Sequence, residues 1–438
     1  LNIHYRYNRI LFLVLINVLV SLTIKAQFTH HNLLPEFTNP ELTQSIIPQE
    51  NFKPFPQTPE GWKKILPDSV INLIIKKGDD ALNKPFEEIP ATVMLEFVRN
   101  NNRTDYEKIS FEKRNQLWNM VMAESVEGNG KYINQIINGI WSICEESFWG
   151  ISAHVGIQKA GPGLPDVEDP IVDLFSAETG AVLAWTDYFV GPELDKVSKL
   201  IRKRIRYEID RRIFKPMTTA KYGWMGGGNP DAKVNNWAPW IASNYITADI
   251  LIQKDETKRT QALNIAIKIM NQYVNGLGED GGCDEGPGYW TAAGACVFDG
   301  LNLLYDATNG KFNICKDPFI NKMGAYIYNT HIDGKYFINV ADAHPTMEPD
   351  GLLIFRFGRD VDNKDMMNMG SWALHTYDEK GIGLENFHRT RILYNLLAIK
   401  ECTAYPYKEN PPTDVWYSDL QLMASRSDNG LFLASHAG

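Results

Sequence analysis

Apolar residues recur at three- and four-residue steps through most of this chain, the spacing that gathers them on one face of an α-helix. After a polar, proline-bearing lead-in from Asn39 to Glu60, the pattern runs through SVINLIIKKGDDAL, ATVMLEFVRNN, RNQLWNMVMAESV and YINQIINGIWSICEE. It continues in IVDLFSAETGAVLAWTDYFV, ELDKVSKLIRKRIRYEIDRRIF, NNWAPWIASNYITADILI and TKRTQALNIAIKIMNQYVNGL. YWTAAGACVFDGLNLLYDAT, PFINKMGAYIYNTHI and a final set ending in NFHRTRILYNLLAIKEC complete it. The periodicity predicts roughly twelve helices with almost no strand pattern between them.

Some connections are short, but four are long and rich in Gly, Pro, Trp and His: GISAHVGIQKAGPGLPDVEDP, YGWMGGGNPDAKVNNW, GLGEDGGCDEGPGY and NVADAHPTMEPDG. Long loops recurring after helix pairs suggest hairpins that present functional loops on one side. Hairpins set around a circle would gather those loops into one cleft.

The two ends read differently. Residues 1–26 hold a basic start with Arg6 and Arg9, an apolar run from Ile10 to Ile24, and a cleavage point at Ala26-Gln27. That is the form of a signal peptide, and the apolar run is short for a full membrane span. A periplasmic or secreted location is expected. At the other end, VWYSDLQLMASR and LFLASHAG read as two strands joined through the Asn-Gly of SDNG. A lone hairpin is marginal in water, so residues 411–438 are expected to be the first strands of a larger β-domain. Residues 27–60 form the lead-in and 61–410 the helical domain.

Composition narrows the function. The 438 residues carry a formal charge of −9, and loss of Arg6, Arg9 and Lys25 with the signal peptide makes it −12. Such acidity argues against general nucleic-acid binding, and no membrane association is expected after cleavage. IRKRIRYEIDRR (Ile201 to Arg212) concentrates positive charge and reads as a solvated helix face. Five cysteines without C-x-x-C spacing point to neither a disulfide framework nor a zinc cluster, although one bridge stays open. The 11 Trp, 19 Tyr and 20 Phe are plentiful, as in many carbohydrate clefts, but aromatics also fill ordinary cores.

Candidate chemistry lies in the long loops. DGGCDEGPGYW (Asp280 to Trp290) puts Glu285 and Tyr289 among glycines directly before a helix. The bland reading is a capped helix start with its aromatics in the core. A phosphate-cradling loop fits poorly, since there is no G-K-[ST] and the acids would repel phosphate. Asn235 and Asn236 precede another helix, flanked by Trp224 and Trp237, and either Asn can serve simply as a cap. Trp149 and His154 come from ESFWGISAH, Asp342 and His344 from ADAHP.

ICEESFWGISAH, LPDVEDPIVDLFSAETGAVLAW, RRIFKP, NNWAPW and DEGPGYW together resemble the heparinase II/III family of polysaccharide lyases, over roughly Ala91 to the end. The resemblance implies a mainly α fold, an incomplete (α/α) toroid of helical hairpins leading into an antiparallel β-sandwich. It implies β-elimination on an acidic, uronic-acid-containing polysaccharide. By motif, Tyr289 looks like the catalytic tyrosine and Asn235 like the neutraliser of the uronate carboxylate, with Asn236 one register away. Glu285, Trp149, His154, Trp224, Trp237 and His344 are expected around the sugar. The family also places a catalytic His in the β-domain, where this chain offers only His436. His344, on a toroid loop, is not expected to replace it. No cofactor is expected within this chain, and the family's divalent metal, where present, belongs to the remainder of the β-domain. A hydrolase using Glu285 with Asp342 or Asp284, and a non-catalytic sugar-binding remnant, are the competing readings.

Overall fold

The computed structural model describes residues 31–377, 384, 387–409, 411–427 and 429–437. The expected signal segment lies outside them. The helices of ten residues or more among the described residues are α1 (Asp68–Leu82), α2 (Thr104–Glu127), α3 (Ile133–Glu145), α4 (Leu174–Val197), α5 (Lys199–Ile209) and α6 (Trp237–Ile252). They continue as α7 (Glu256–Asn275), α8 (Gly294–Ala307), α9 (Pro318–Asn329), α10 (Gly351–Asp360), α11 (Lys364–Tyr377) and α12 (Arg389–Ala404). The periodicity predicts roughly that number, but ATVMLEFVRNN forms two short helices, Ala91–Met94 and Glu96–Asn100, in place of one. None is long and apolar enough to cross a membrane.

The helices form two layers of an incomplete (α/α) toroid. α2, α4, α6 and α8 pack side by side in sequence as the inner layer, and α3, α5 and α7 lie behind α2, α4 and α6. Burial explains the assignment. α4 and α6 are apolar nearly all round, as helices covered on both sides must be. α5 instead keeps Ile201, Ile205 and Ile209 on one buried stripe. Only Ser198 separates α4 from α5, and the pairs Arg202–Asp195 (2.7 Å) and Arg206–Asp187 (3.2 Å) fix an antiparallel hairpin.

Those pairs also correct the reading of the basic run. Arg202, Arg204, Arg206, Arg211 and Arg212 each meet Asp187, Asp195, Glu145 or Glu208, and Arg212 is buried. The run is an ion-paired seam between α5 and its neighbours, not a free solvated face.

The lead-in is strapped along α7. Asn264, Asn271 and Asn275 accept hydrogen bonds from the backbone N–H groups of Phe37, Leu34 and Asn32. α10 and α11 form another hairpin, and α12 packs against both and against α4.

Strands are few. β1 (His331–Asp333) and β2 (Tyr336–Phe337) make a small antiparallel ladder that the periodicity missed, although the Asp333-Gly334 turn signals it. At the C-terminus, the expected two strands are three. β3 (Asp414–Tyr417), β4 (Leu422–Arg426) and β5 (Phe432–His436) form an antiparallel sheet in the order β3-β4-β5. A turn at residues 418–421, with Gln421 at φ +52°, breaks what reads as one strand. Tyr417, Leu422 and Ala424 are buried, so the sheet is docked on the helices. The five cysteines are all free and buried.

Candidate active site

The loop from Asp280 to Trp290 is held at several points. The Asp280 carboxylate accepts from the N–H of Gly282 (3.0 Å) and, in the turn between β3 and β4, from that of Asp419 (2.7 Å). Trp290 is buried and donates its indole N–H to the carbonyl of Met323 in α9 (3.0 Å). Gly286 sits at φ +90°, where a Cβ would overlap the Val340 carbonyl, so glycine is required. The composition looks flexible, but these contacts make it a rigid platform. Tyr289, between the pinned Gly286 and Trp290, is 37% exposed.

The loop before α6 meets this platform directly. The backbone N–H of Asn236 donates to Glu285 Oε1 (3.2 Å), and Lys233 Nζ lies 2.7 Å from Asp284 Oδ2. Asn235 is exposed, and its Oδ1 accepts the N–H of Trp237 (3.2 Å). That bond occupies the carboxamide oxygen at the start of α6. Asn236 is only 4% exposed. The one-residue ambiguity in the NNW motif therefore has a physical answer: Asn235 presents its amide to solvent and Asn236 lies inside.

The other two loops join the same region. The His154 ring lies against that of Trp237, with centroids 4.3 Å apart, and its Nδ1 is 2.7 Å from Asp173 Oδ2. Ala343 packs against Gly286 and Gly288, leaving His344 exposed on the same loop. All four long loops thus converge. Burial raises the Glu285 carboxyl above its usual range, and the charges of Asp284 and Asp342 add to the shift; the Asn236 N–H and Lys233 oppose it.

Two expected sugar-binding residues are not on the surface. Trp149 is 1% exposed, donates its indole N–H to the Ile143 carbonyl (2.9 Å) and is covered by the Arg212 guanidinium. Trp224 is also buried, donates to the Val172 carbonyl (3.1 Å) and stacks on Tyr222. In glycine-rich loops a large indole with its N–H satisfied by backbone serves as a plug. Both tryptophans support the loops that carry His154 and Asn235 and offer no face to a ligand.

Sequence reasoning missed the charged floor below these loops. Trp240 of α6 donates to Glu178 Oε1 of α4 (2.9 Å) and lies against the His388 ring at 4.6 Å. Both acid and imidazole are buried. Burial lifts the Glu178 carboxyl to about 8 against the pull of Arg389. Burial, with Arg391 and Arg389 nearby, holds His388 well below its usual range, so the imidazole is neutral. Beyond it, Cys296, Asp299 and His388 bring potential ligand atoms within 4.8 Å of one another. Arg391 donates to Asp299 Oδ2 through Nε (3.0 Å) and Nη2 (2.7 Å), so a guanidinium already holds the position a metal cation would need. The FHRTR segment carried the only sequence signal for this floor: charges on a helix otherwise destined for the interior.

No protein-family model matches the sequence, and no curated protein matches it. Among solved structures, the chain is similar to a tyrosine-to-alanine mutant of the Streptomyces coelicolor A3 chondroitin AC lyase, at 12% identity and a TM-score of 0.44. The likeness covers 81% of this chain and 52% of that one, so the chain spans about half the length of that lyase.

A separate cavity lies elsewhere. It measures about 830 Å³ and runs between residues 85–94 and α3, lined by Phe86, Gln135, Asn138 and Trp141. None of the candidate site residues lines it.

Proposed function

We propose that this chain is an exported polysaccharide lyase, or the toroid portion of one, that cleaves an acidic, uronic-acid-containing polysaccharide by β-elimination. One observation supports the reading: Glu285 and Asp284 tie the loop of Asn235 to the loop of Tyr289, and both side chains are exposed on those joined loops. Elimination requires loss of the acidic C5 proton next to a carboxylate. An amide N–H donated to that carboxylate stabilises the enolate-like charge that develops, as an oxyanion hole does. The Tyr289 oxygen, entering as phenolate, would take the C5 proton and pass that same proton to the departing glycosidic oxygen, so the step balances on one group. The assignment to heparinase II/III-like lyases rests on the motif resemblance.

A second reading has its own support. Glu285, its carboxyl raised by burial with the charges of Asp284 and Asp342 adding, has other acids around it, and a pair of acids is what a glycoside hydrolase uses. The Tyr289 and Asn235 arrangement, which hydrolysis does not need, favours elimination.

The test is incubation of the mature chain with heparan sulfate, alginate, chondroitin and hyaluronan. Elimination creates a conjugated unsaturated uronate, so absorbance in the ultraviolet rises together with new reducing ends. New reducing ends without that absorbance would establish the hydrolase instead. Binding with neither product would leave a sugar-binding protein.

A further inference from the structure

Asp173, which precedes α4, is fully buried, yet its carboxylate serves three donors. Oδ1 accepts from the N–H of Ser176 (2.8 Å), and Oδ2 accepts from the N–H of Ile151 (3.2 Å) and meets His154 Nδ1 at 2.7 Å. Gly150 is packed so close that a Cβ there would lie 2.5 Å from both carboxylate oxygens. The cap of α4, the backbone of the loop and the imidazole are thus locked together.

A carboxylate can only accept, so the 2.7 Å contact requires a proton on Nδ1. In the neutral imidazole the other nitrogen, Nε2, then carries the lone pair. The ring is wedged between Trp237 (4.3 Å) and Phe175 (6.2 Å), and the side chain keeps 14% of its surface exposed. Nε2 has no protein partner among the described residues.

We propose that Asp173 is a positioning residue that holds His154 as the Nδ1–H tautomer, so that Nε2 accepts a hydrogen bond from a ring hydroxyl of the sugar bound beside Trp237. The inference rests on the lyase reading for the identity of the ligand, but the tautomer does not. The contact is a specificity device. It favours a free hydroxyl at that ring position and rejects one blocked by a substituent, because the buried pair cannot turn the nitrogen away.

The test has two arms. In the full chain labelled with ¹⁵N-histidine, long-range ¹H–¹⁵N spectra should show a protonated Nδ1 and a bare Nε2 for the histidine whose signal is lost in His154→Gln. In Asp173→Asn the side-chain NH2 can donate to Nδ1, and the signal should change to the Nε2–H form. A wild-type His154 protonated on Nε2 overturns the proposal. In the second arm, His154→Gln leaves the α4 cap intact. Loss of one hydrogen bond should raise KM about tenfold on whichever of the four polysaccharides is cleaved, with a much smaller change in kcat. An unchanged KM overturns the sugar contact. If none of the four is eliminated, the lyase reading fails, while the spectra still decide the role of Asp173.

Discussion

At the scale of single residues, the account depends on which groups are free to act and which are held as structure. Asn235 and Asn236 differ most clearly. Asn235→Ala removes the exposed amide and should lower kcat by about a hundredfold or more, the usual cost of deleting one oxyanion-type donor. Asn236→Ala alters a side chain that is inside, while its backbone bond to Glu285 remains. That variant should keep kcat within about tenfold and lose about 1 kcal/mol of stability. Steady-state kinetics with denaturant melts of both variants check the pair; equal kinetic losses would return the assignment to ambiguity. The same contrast explains what the residues alone could reveal. Tyr289, Asn235 and His154 are legible as candidates because they are polar or aromatic groups on glycine-rich loops. Trp149 and Trp224 look identical by that criterion, and only their burial, with indole N–H groups on backbone carbonyls, shows them to be plugs. Asp173 reads as an ordinary helix cap, since its bond to His154 links positions that no local pattern connects.

At the scale of elements, helix periodicity was a reliable guide because each helix buries a face whose spacing is fixed by 3.6 residues per turn. Packing between helices is written in smaller signs. In the α10–α11 hairpin, Gly351 and Gly370 face the partner backbone: a Cβ on Gly351 would lie 2.5 Å from Leu374 N, and one on Gly370 2.7 Å from Phe355 Cα. Gly370→Ala would gain about 1 kcal/mol of helix propensity, but the overlap is with backbone, which cannot rotate away. Overpacking of this kind costs about 1–3 kcal/mol. The clash should therefore win, and the urea midpoint should fall; an unchanged or higher midpoint would show that the helices can separate freely. Strands were harder to read than helices. The turn at residues 418–421 lies inside an apparently continuous strand, and its contact with Asp280 is formed across some 139 positions.

At the scale of the whole molecule, the helices bury titratable groups, and this gives stability a pH dependence. Glu178 has an ordinary carboxyl value near 4.5 and is lifted to about 8 in the fold. Between those values the folded chain holds a proton that the unfolded chain has released. The stability from this group is therefore complete below pH 4.5 and lost as pH rises through about 8. At about 1.4 kcal/mol per pH unit, the loss amounts to a few kcal/mol. Glu178→Gln keeps an acceptor for Trp240 and does not titrate, so its thermal midpoint should change less than the wild type's from about pH 5 to about pH 8. Parallel profiles would show that Glu178 does not carry the effect. Such buried charges escaped the sequence reading because Glu178, Asp299, His388 and Arg391 come from three helices far apart in the chain.

The central claim, that the phenol of Tyr289 supplies the leaving-group proton on a surface built by the two joined loops, is tested most directly by Tyr289→Phe. The measurement is the initial rate of ultraviolet absorbance on a cleaved polysaccharide, with affinity for the same polymer determined by calorimetry. Removal of the hydroxyl should lower the rate by about a hundredfold or more with affinity nearly unchanged. A variant that produces the unsaturated uronate at the wild-type rate would contradict the account.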